Sequence, residues 1–182
     1  PDGTLPEGAI TYRDERHPGL GVRAIVPAAS AEGLPIAGDN RPDDPFVAAA
    51  IAAGLADGFA PNDVFAHDIG LDLLGGIDFV KGCYIGQEVV SRMKHRGTAR
   101  RRPVIVSGID GNSVPGTPVL ASGREAGVIG PIAEGRAVAI IRLDRITDPG
   151  AVTVGGAPVT LDLPDWATYR LGEPDAEAKA EH

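Results

Sequence analysis

The sequence predicts an α+β protein: a mixed first part followed by a small antiparallel β-barrel. Two observations carry this. From Arg102 to Leu163, six short Val/Ile-rich runs recur about every ten residues, with turn dipeptides between them. Before Thr98, strand-like runs alternate with an Ala-rich helical segment and with Gly-rich turns. Only 4% of residues are aromatic, against 25 Gly and 16 Pro, so the core must be built from Ala, Val, Ile and Leu between many turns.

In chain order, Leu20–Pro27 alternates and ends at a proline, as a strand does, and Ala9–Arg13 is its candidate partner. Asp44-Pro45 pairs a capping carboxylate with proline at the first helical position. The helix is expected to run through Phe46, Val47, Ile51 and Leu55 and to stop at Gly58. Ile69–Leu74 is a short apolar run closed by Gly75-Gly76, and Ile77–Val80 is a candidate strand leading to Lys81. Gln87–Lys94 predicts a short helix with Val89, Val90 and Met93 on one face, ended by Gly97.

The barrel strands are expected at Pro103–Ile109, Pro118–Ala121, Ala126–Ile132, Ala137–Leu143, Ala151–Val154 and Pro158–Leu163. Their turns are Asp110-Gly111, Pro115-Gly116, Ser122-Gly123, Glu134-Gly135, Pro149-Gly150 and Gly155-Gly156. This divides the chain into 1–98 (α+β), 99–165 (barrel) and a charged, Ala-rich tail, 166–182.

The 182 residues suffice for one sizeable domain or two small ones. One cysteine excludes an internal disulfide and any metal or cluster site held by several thiolates of this chain. His17, His67 and His95 lack metal-ligand spacing, so no stable metal site is expected. There is no P-loop, Rossmann or nucleophile-elbow fingerprint. No run of about eighteen apolar residues and no secretory pattern is visible, and cytoplasm is the expected location. The opening at Pro1 without Met suggests a fragment or processed product.

A net charge of -8 argues against a general nucleic-acid coat. Yet Val89–Ile109 has no acidic residue and holds Arg92, Lys94, Arg96, Arg100, Arg101 and Arg102. This band reads either as a solvated helix face and charged junction or as a docking patch for a polyglutamylated folate, an acidic protein or tRNA. Direct tRNA binding is disfavoured by the acidic total and by the lack of an aromatic-interleaved strand.

The specific chemistry concentrates in Lys81–Glu88 (KGCYIGQE). Gly82 and Gly86 permit a tight strand-to-helix turn around Cys83. A helix opening at Gly86 would aim its first N–H groups back at Cys83 and favour a thiolate, and Lys81 would act in the same sense. Cys83 therefore has two readings, an accessible reactive thiol or a small buried hydrophobe. Tyr84 reads as core or ligand contact, and Gln87 and Glu88 as helix caps or polar ligand contacts.

The run Lys81-Gly82-Cys83-Tyr84-Ile85-Gly86-Gln87-Glu88, with Arg96-Gly97 after it, resembles the K-G-C-Y-x-G-Q-E motif of the YgfZ family. These are folate-binding, glycine-cleavage-T-protein-like proteins related to mitochondrial iron–sulfur assembly factors. The similarity extends to Leu71-Asp72-Leu73-Leu74-Gly75-Gly76-Ile77, Tyr12-Arg13-Asp14, His17-Pro18 and Leu20-Gly21. It covers roughly residues 10 to 165 and departs from the family at Asp68, where Glu is common.

The resemblance implies a partial ferredoxin-like/T-protein-like α/β domain before the barrel, with part of the folate surface on an N-terminal segment outside this chain. It also implies a tetrahydrofolate-binding protein that supports iron–sulfur cluster assembly or repair and so affects tRNA modification indirectly. Its partners would be a reduced folate and assembly or client proteins. A non-enzymatic factor fits the motif better than the alternative, a folate-dependent aminomethyltransferase. Carried over by position, Cys83 is the thiol or a transient cluster ligand, Lys81, Tyr84, Gln87 and Glu88 are cofactor-binding, and Arg96 supports them.

Overall fold

The computed structural model describes residues 5–31, 44–60, 64–96 and 100–173, the side chains of His95 and Arg96 excepted. Its first part is an antiparallel hairpin, β1 (Ile10–Arg13) and β2 (Val22–Ile25), then helix α1 (Pro45–Ala52), an irregular run of turns, and helix α2 (Gln87–Arg96). Its second part is a seven-stranded antiparallel sheet. The strands are β3 (Arg101–Ser107), β4 (Pro118–Ala121), β5 (Arg124–Ala133), β6 (Arg136–Arg142), β7 (Val152–Val154), β8 (Ala157–Pro158) and β9 (Thr160–Asp162).

The spatial order β8-β7-β4-β5-β6-β3-β9 puts β8 and β9 at opposite edges, yet only Val159 separates them in the chain. Two edges joined by one residue must lie side by side, so the sheet rolls into a nearly closed barrel. Three of the hairpin loops are Ser122-Gly123, Glu134-Gly135 and Gly155-Gly156, each a two-residue link with φ positive at both positions. That is the geometry of the turn whose twist matches paired strands, and dipeptides containing glycine adopt it most readily. In β5 the register slips between Ile129 and Ile132, and Gly130-Pro131 sits in that bulge, where the missing proline N–H costs no ladder bond.

β6 shows how the wall is buried on both faces. Ala137, Ala139 and Ile141 point into the barrel core with Val104, Val106, Val119 and Ile129. Val138 and Ile140 point outward into a second cluster with Val47, Ile51 and Ala56. α1 thus lies on the outside of the barrel, which explains why β6 reads as an unbroken apolar run.

α1 starts as expected, with the Asp44 carboxylate accepting from the Phe46 N–H at 2.8 Å. It stops earlier than expected, at Ala52 instead of near Gly58. The Leu55 N–H donates to Ala50 O, the Gly54 N–H donates to Ile51 O, and Gly54 has φ +69°. This is a glycine-terminated C-cap, placed four residues ahead of the glycine chosen from sequence.

Two further expectations change. Ile77–Val80 forms no strand, because Asp78 Oδ1 accepts from the N–H groups of Val80 and Lys81 and diverts the donors a strand would need. Residues 166–171, placed with the tail, stay on the barrel: Trp166 donates from Nε1 to Ala53 O at 2.8 Å, and the Tyr169 hydroxyl donates to Pro103 O at 2.6 Å. The expected stop at Gly97 and the residues after Glu173 lie outside the described residues. The ferredoxin-like sheet expected in the first part is represented among the described residues by β1 and β2 alone. No described helix is long and apolar enough to cross a membrane.

Candidate functional site

The segment before the cysteine turn is pinned to the barrel by one buried pair. Arg102, 3% exposed, donates two bonds to the Asp72 carboxylate at 2.7 and 2.8 Å and a third to the His67 carbonyl at 2.7 Å. Asp72 belongs to the Leu71–Ile77 run, so that part of the motif is a structural clamp. Asp68 lies beside it, 4% exposed, and burial pushes its carboxyl above the usual carboxylate range. The Phe65 N–H and the charges of Arg101 and Arg102 partly oppose that shift.

Asp14 and His17, from the Tyr12-Arg13-Asp14 and His17-Pro18 stretches, also hold structural contacts. Asp14 accepts from Arg16 and Arg23, and Arg16 reaches on to Asp57 at 3.0 Å, tying the hairpin to the loop after α1. The Arg16 guanidinium holds the Asp14 carboxyl down at about 2 against the opposing effect of burial. His17 Nδ1 accepts from the Gly19 N–H, which leaves Nε2 to donate to Asp165 at 3.1 Å.

Beyond Asp78 the chain leaves this support. Val80 is 95% and Ile85 104% exposed, and Cys83 between them is exposed as well. Of the two readings of Cys83, the accessible thiol is the one the structure places. The turn closes with the Gln87 N–H donating to Tyr84 O and the Val90 N–H to Gly86 O, Gly86 having φ +88°. α2 therefore begins just after Gly86, four residues beyond the thiol.

The other candidate residues distribute unevenly. The Lys81 ammonium lies 5.2 Å from the centre of the Tyr84 ring, a cation–π arrangement. Tyr84 is half-buried, and its hydroxyl is buried without a hydrogen-bond partner. Gln87 is half-buried, while Glu88 is exposed and pairs with Arg92 one turn along α2. The Arg96 side chain lies outside the described residues. Lys94 sits 4.0 Å over the Phe79 ring, tying α2 back to the approach segment.

The basic band is thus divided: Arg92 and Lys94 serve α2, Arg102 is a buried clamp, and Arg101 faces a hollow on the barrel. Among the described residues, no three His, Cys, Asp or Glu side chains gather as a metal-binding group. A cavity of about 280 Å³ and a smaller one of about 40 Å³ are both lined by residues other than Lys81–Glu88. The turn thus presents an open edge with an unclaimed hydroxyl at Tyr84, and neither cavity lies against it.

Comparison with known proteins agrees with the barrel's boundaries. Residues 100–169 match the model of the CAF17 C-terminal beta-barrel domain, a range that begins one residue before β3 and ends at the buried Tyr169. The chain is 34% identical over 119 residues to the iron–sulfur cluster assembly factor IBA57 homolog, mitochondrial, of Chaetomium globosum, covering 63% of this chain and 27% of that protein. The relative of the same name from Coccidioides immitis is 32% identical over 105 residues, covering 55% of this chain and 25% of that protein. The one from Phaeosphaeria nodorum is 30% identical over 174 residues, 79% of this chain and 42% of that protein.

The chain spans between about a quarter and two fifths of the length of these relatives. Their names place them in mitochondria, which overturns the expectation of a cytoplasmic protein. That expectation rested only on the lack of a visible export signal and of a membrane-spanning apolar run. The chain carries a barrel of the kind found at the C-terminus of CAF17-type proteins, within a sequence similar to iron–sulfur cluster assembly factors.

Proposed function

We propose that this chain is the cysteine-turn and barrel portion of a factor that supports iron–sulfur cluster assembly. The observation that carries the reading is the exposed Cys83, set on a turn that stands off a packed scaffold, in a chain 34% identical to a named assembly factor. A single thiolate cannot hold a cluster, so the cluster is cargo shared with a partner protein or a small thiol, and Cys83 is one transient ligand or exchange thiol. An accessible thiol is what such a hand-over requires.

A reduced folate belongs to the proposal as the ligand of the same turn. The unpartnered hydroxyl of Tyr84 supports this, with Lys81, Gln87, Glu88 and Arg96 as further contacts. When bound, it would supply a one-carbon carrier beside the thiol. The enclosing walls would come from elsewhere in the intact protein. Effects on tRNA modification would follow indirectly, through client enzymes that need clusters.

The test is Cys83→Ala in the intact protein, read as the activity of client iron–sulfur enzymes in cells. A loss of client activity at unchanged protein level is expected, and normal client activity would overturn the thiol's role. Calorimetric folate binding should be tighter for the intact protein than for this chain, and equal affinity would contradict the incomplete site. Aminomethyl transfer from a reduced folate by the intact protein would favour a transferase instead.

A further inference from the structure

A second feature stands apart from the cysteine turn. On the outer face of the barrel, the hollow of about 280 Å³ is bordered by Phe59, Val64, Gly127, Arg101, Arg142 and Arg145. Its size is close to the lower end of small-ligand sites. The β3–β6 register sets Arg101 directly opposite Arg142, so two guanidinium groups leave the same face of neighbouring strands. Like charges opposite one another across a ladder repel, and a protein with no use for the pair would be expected to avoid it.

Local acids offset this only in part. Asp144 takes Arg142 at 2.7 Å, and Arg145 donates to the Glu125 backbone carbonyl, which carries no net charge. Arg101 enters no ion pair among the described residues. Glu125 is the acid in the lining, facing three arginines on a chain whose net charge is -8. The hollow therefore concentrates positive charge on an acidic protein.

The other wall is apolar. Phe59 is half-buried and seated against Gly130, where an added Cβ would lie 2.7 Å from its ring. That contact fixes the ring beside Val64 and Ile140. Guanidinium groups on one side and a fixed aromatic ring on the other suit a small molecule with two unlike ends.

We propose that this hollow binds a small organic anion, its carboxylate or phosphate held by Arg101, Arg142 and Arg145 and its apolar or aromatic body lying against Phe59 and Val64. The site shares no lining residue with Lys81–Glu88, so it stands or falls independently of the cluster-assembly reading.

The test is a titration of the whole chain followed by backbone amide NMR shifts, with phenyl phosphate, benzoate, inorganic phosphate and uncharged benzamide as probes. Saturable shifts at Gly127, Val128 and Gly130 are expected with phenyl phosphate or benzoate, and the tighter of the two identifies the head group. Arg101→Gln, at an exposed position, should weaken that binding by about tenfold, the loss of one charge-assisted contact. If that variant alters the spectrum of the free protein, Arg145→Gln is read instead. No saturable shift with either organic anion would overturn the proposal. So would equal binding of benzamide or inorganic phosphate, or unchanged affinity in the arginine variant.

Discussion

The barrel and the cysteine turn use their residues in opposite ways. In the barrel wall, Val104, Val106, Val119, Ala137, Ala139 and Ile141 are all fully buried, and the Arg102 guanidinium and Tyr169 hydroxyl beside them are hydrogen-bonded. In the turn, Val80 and Ile85 are almost wholly exposed, and the Tyr84 hydroxyl is buried without a partner. Apolar groups left in water add nothing to stability, and a polar group buried unpaired lowers it, by roughly 1–3 kcal/mol for a hydroxyl. The difference teaches that stability and chemistry are separated here. The barrel with its Arg102–Asp72 clamp holds the fold, and the turn is what it presents.

If that separation is real, the clamp should be the most sensitive position. Arg102→Ala strips the Asp72 carboxylate of both its guanidinium donors and the His67 carbonyl of one donor, the Gly70 N–H remaining, and a loss of about 3–5 kcal/mol is expected in urea unfolding. A loss below about 1 kcal/mol would mean that the approach segment is not anchored through this pair.

The hairpin should come next, and with a pH signature. The Asp14 carboxyl is held at about 2, below its ordinary 3.8, so its folded-state gain is fully present above that ordinary value and is lost as pH falls towards 2. Wild type should exceed Asp14→Asn by about 1–2 kcal/mol near neutral pH, after allowing for the solvent around its arginine partners. The gap should close in acid unfolding curves as pH approaches 2. A gap that does not change with pH would assign the effect to shape instead of charge.

The turn should be the least sensitive. Cys83→Ala and Ile85→Ser should each change stability by less than about 0.5 kcal/mol, as exposed substitutions do. A larger loss would mean that the turn is part of the core after all.

The same contrast explains what could be read from the chain. The barrel was legible because its physics is local: two-residue turns such as Glu134-Gly135 mark strand ends by themselves, and the run Pro118–Ala121 is a strand from end to end. The tip of α1 was misplaced because two glycines competed, and the choice of Gly54 is tertiary, its α-carbon facing Pro164 so closely that an added Cβ would clash. The Ile77–Val80 run looked like a strand by composition, but the carboxylate of Asp78, inside the run, captured the N–H groups of Val80 and of Lys81 just after it.

For the site, the sequence singled out Cys83 and Tyr84 but left exposed or buried undecided, since burial depends on what the rest of the fold covers. It also read Arg102 as one of a band. Its pairing with Asp72 spans thirty residues and leaves no local pattern. Arg101 was read as part of the same band, and its grouping with Arg142 and Arg145 at the barrel hollow was missed for the same reason. Arg101 and Arg142 meet only through strand register, and opposed like charges could have been suspected only after β3 and β6 were paired.

The most direct test of the central claim is the alkylation rate of Cys83 in the native chain compared with the rate in strong denaturant. A thiol standing free on the turn should react within about threefold of its unfolded rate, since no opening step precedes reaction. Protection of a hundredfold or more, about 2.7 kcal/mol of required opening, would show that the scaffold covers the cysteine and would contradict the separation of fold from chemistry.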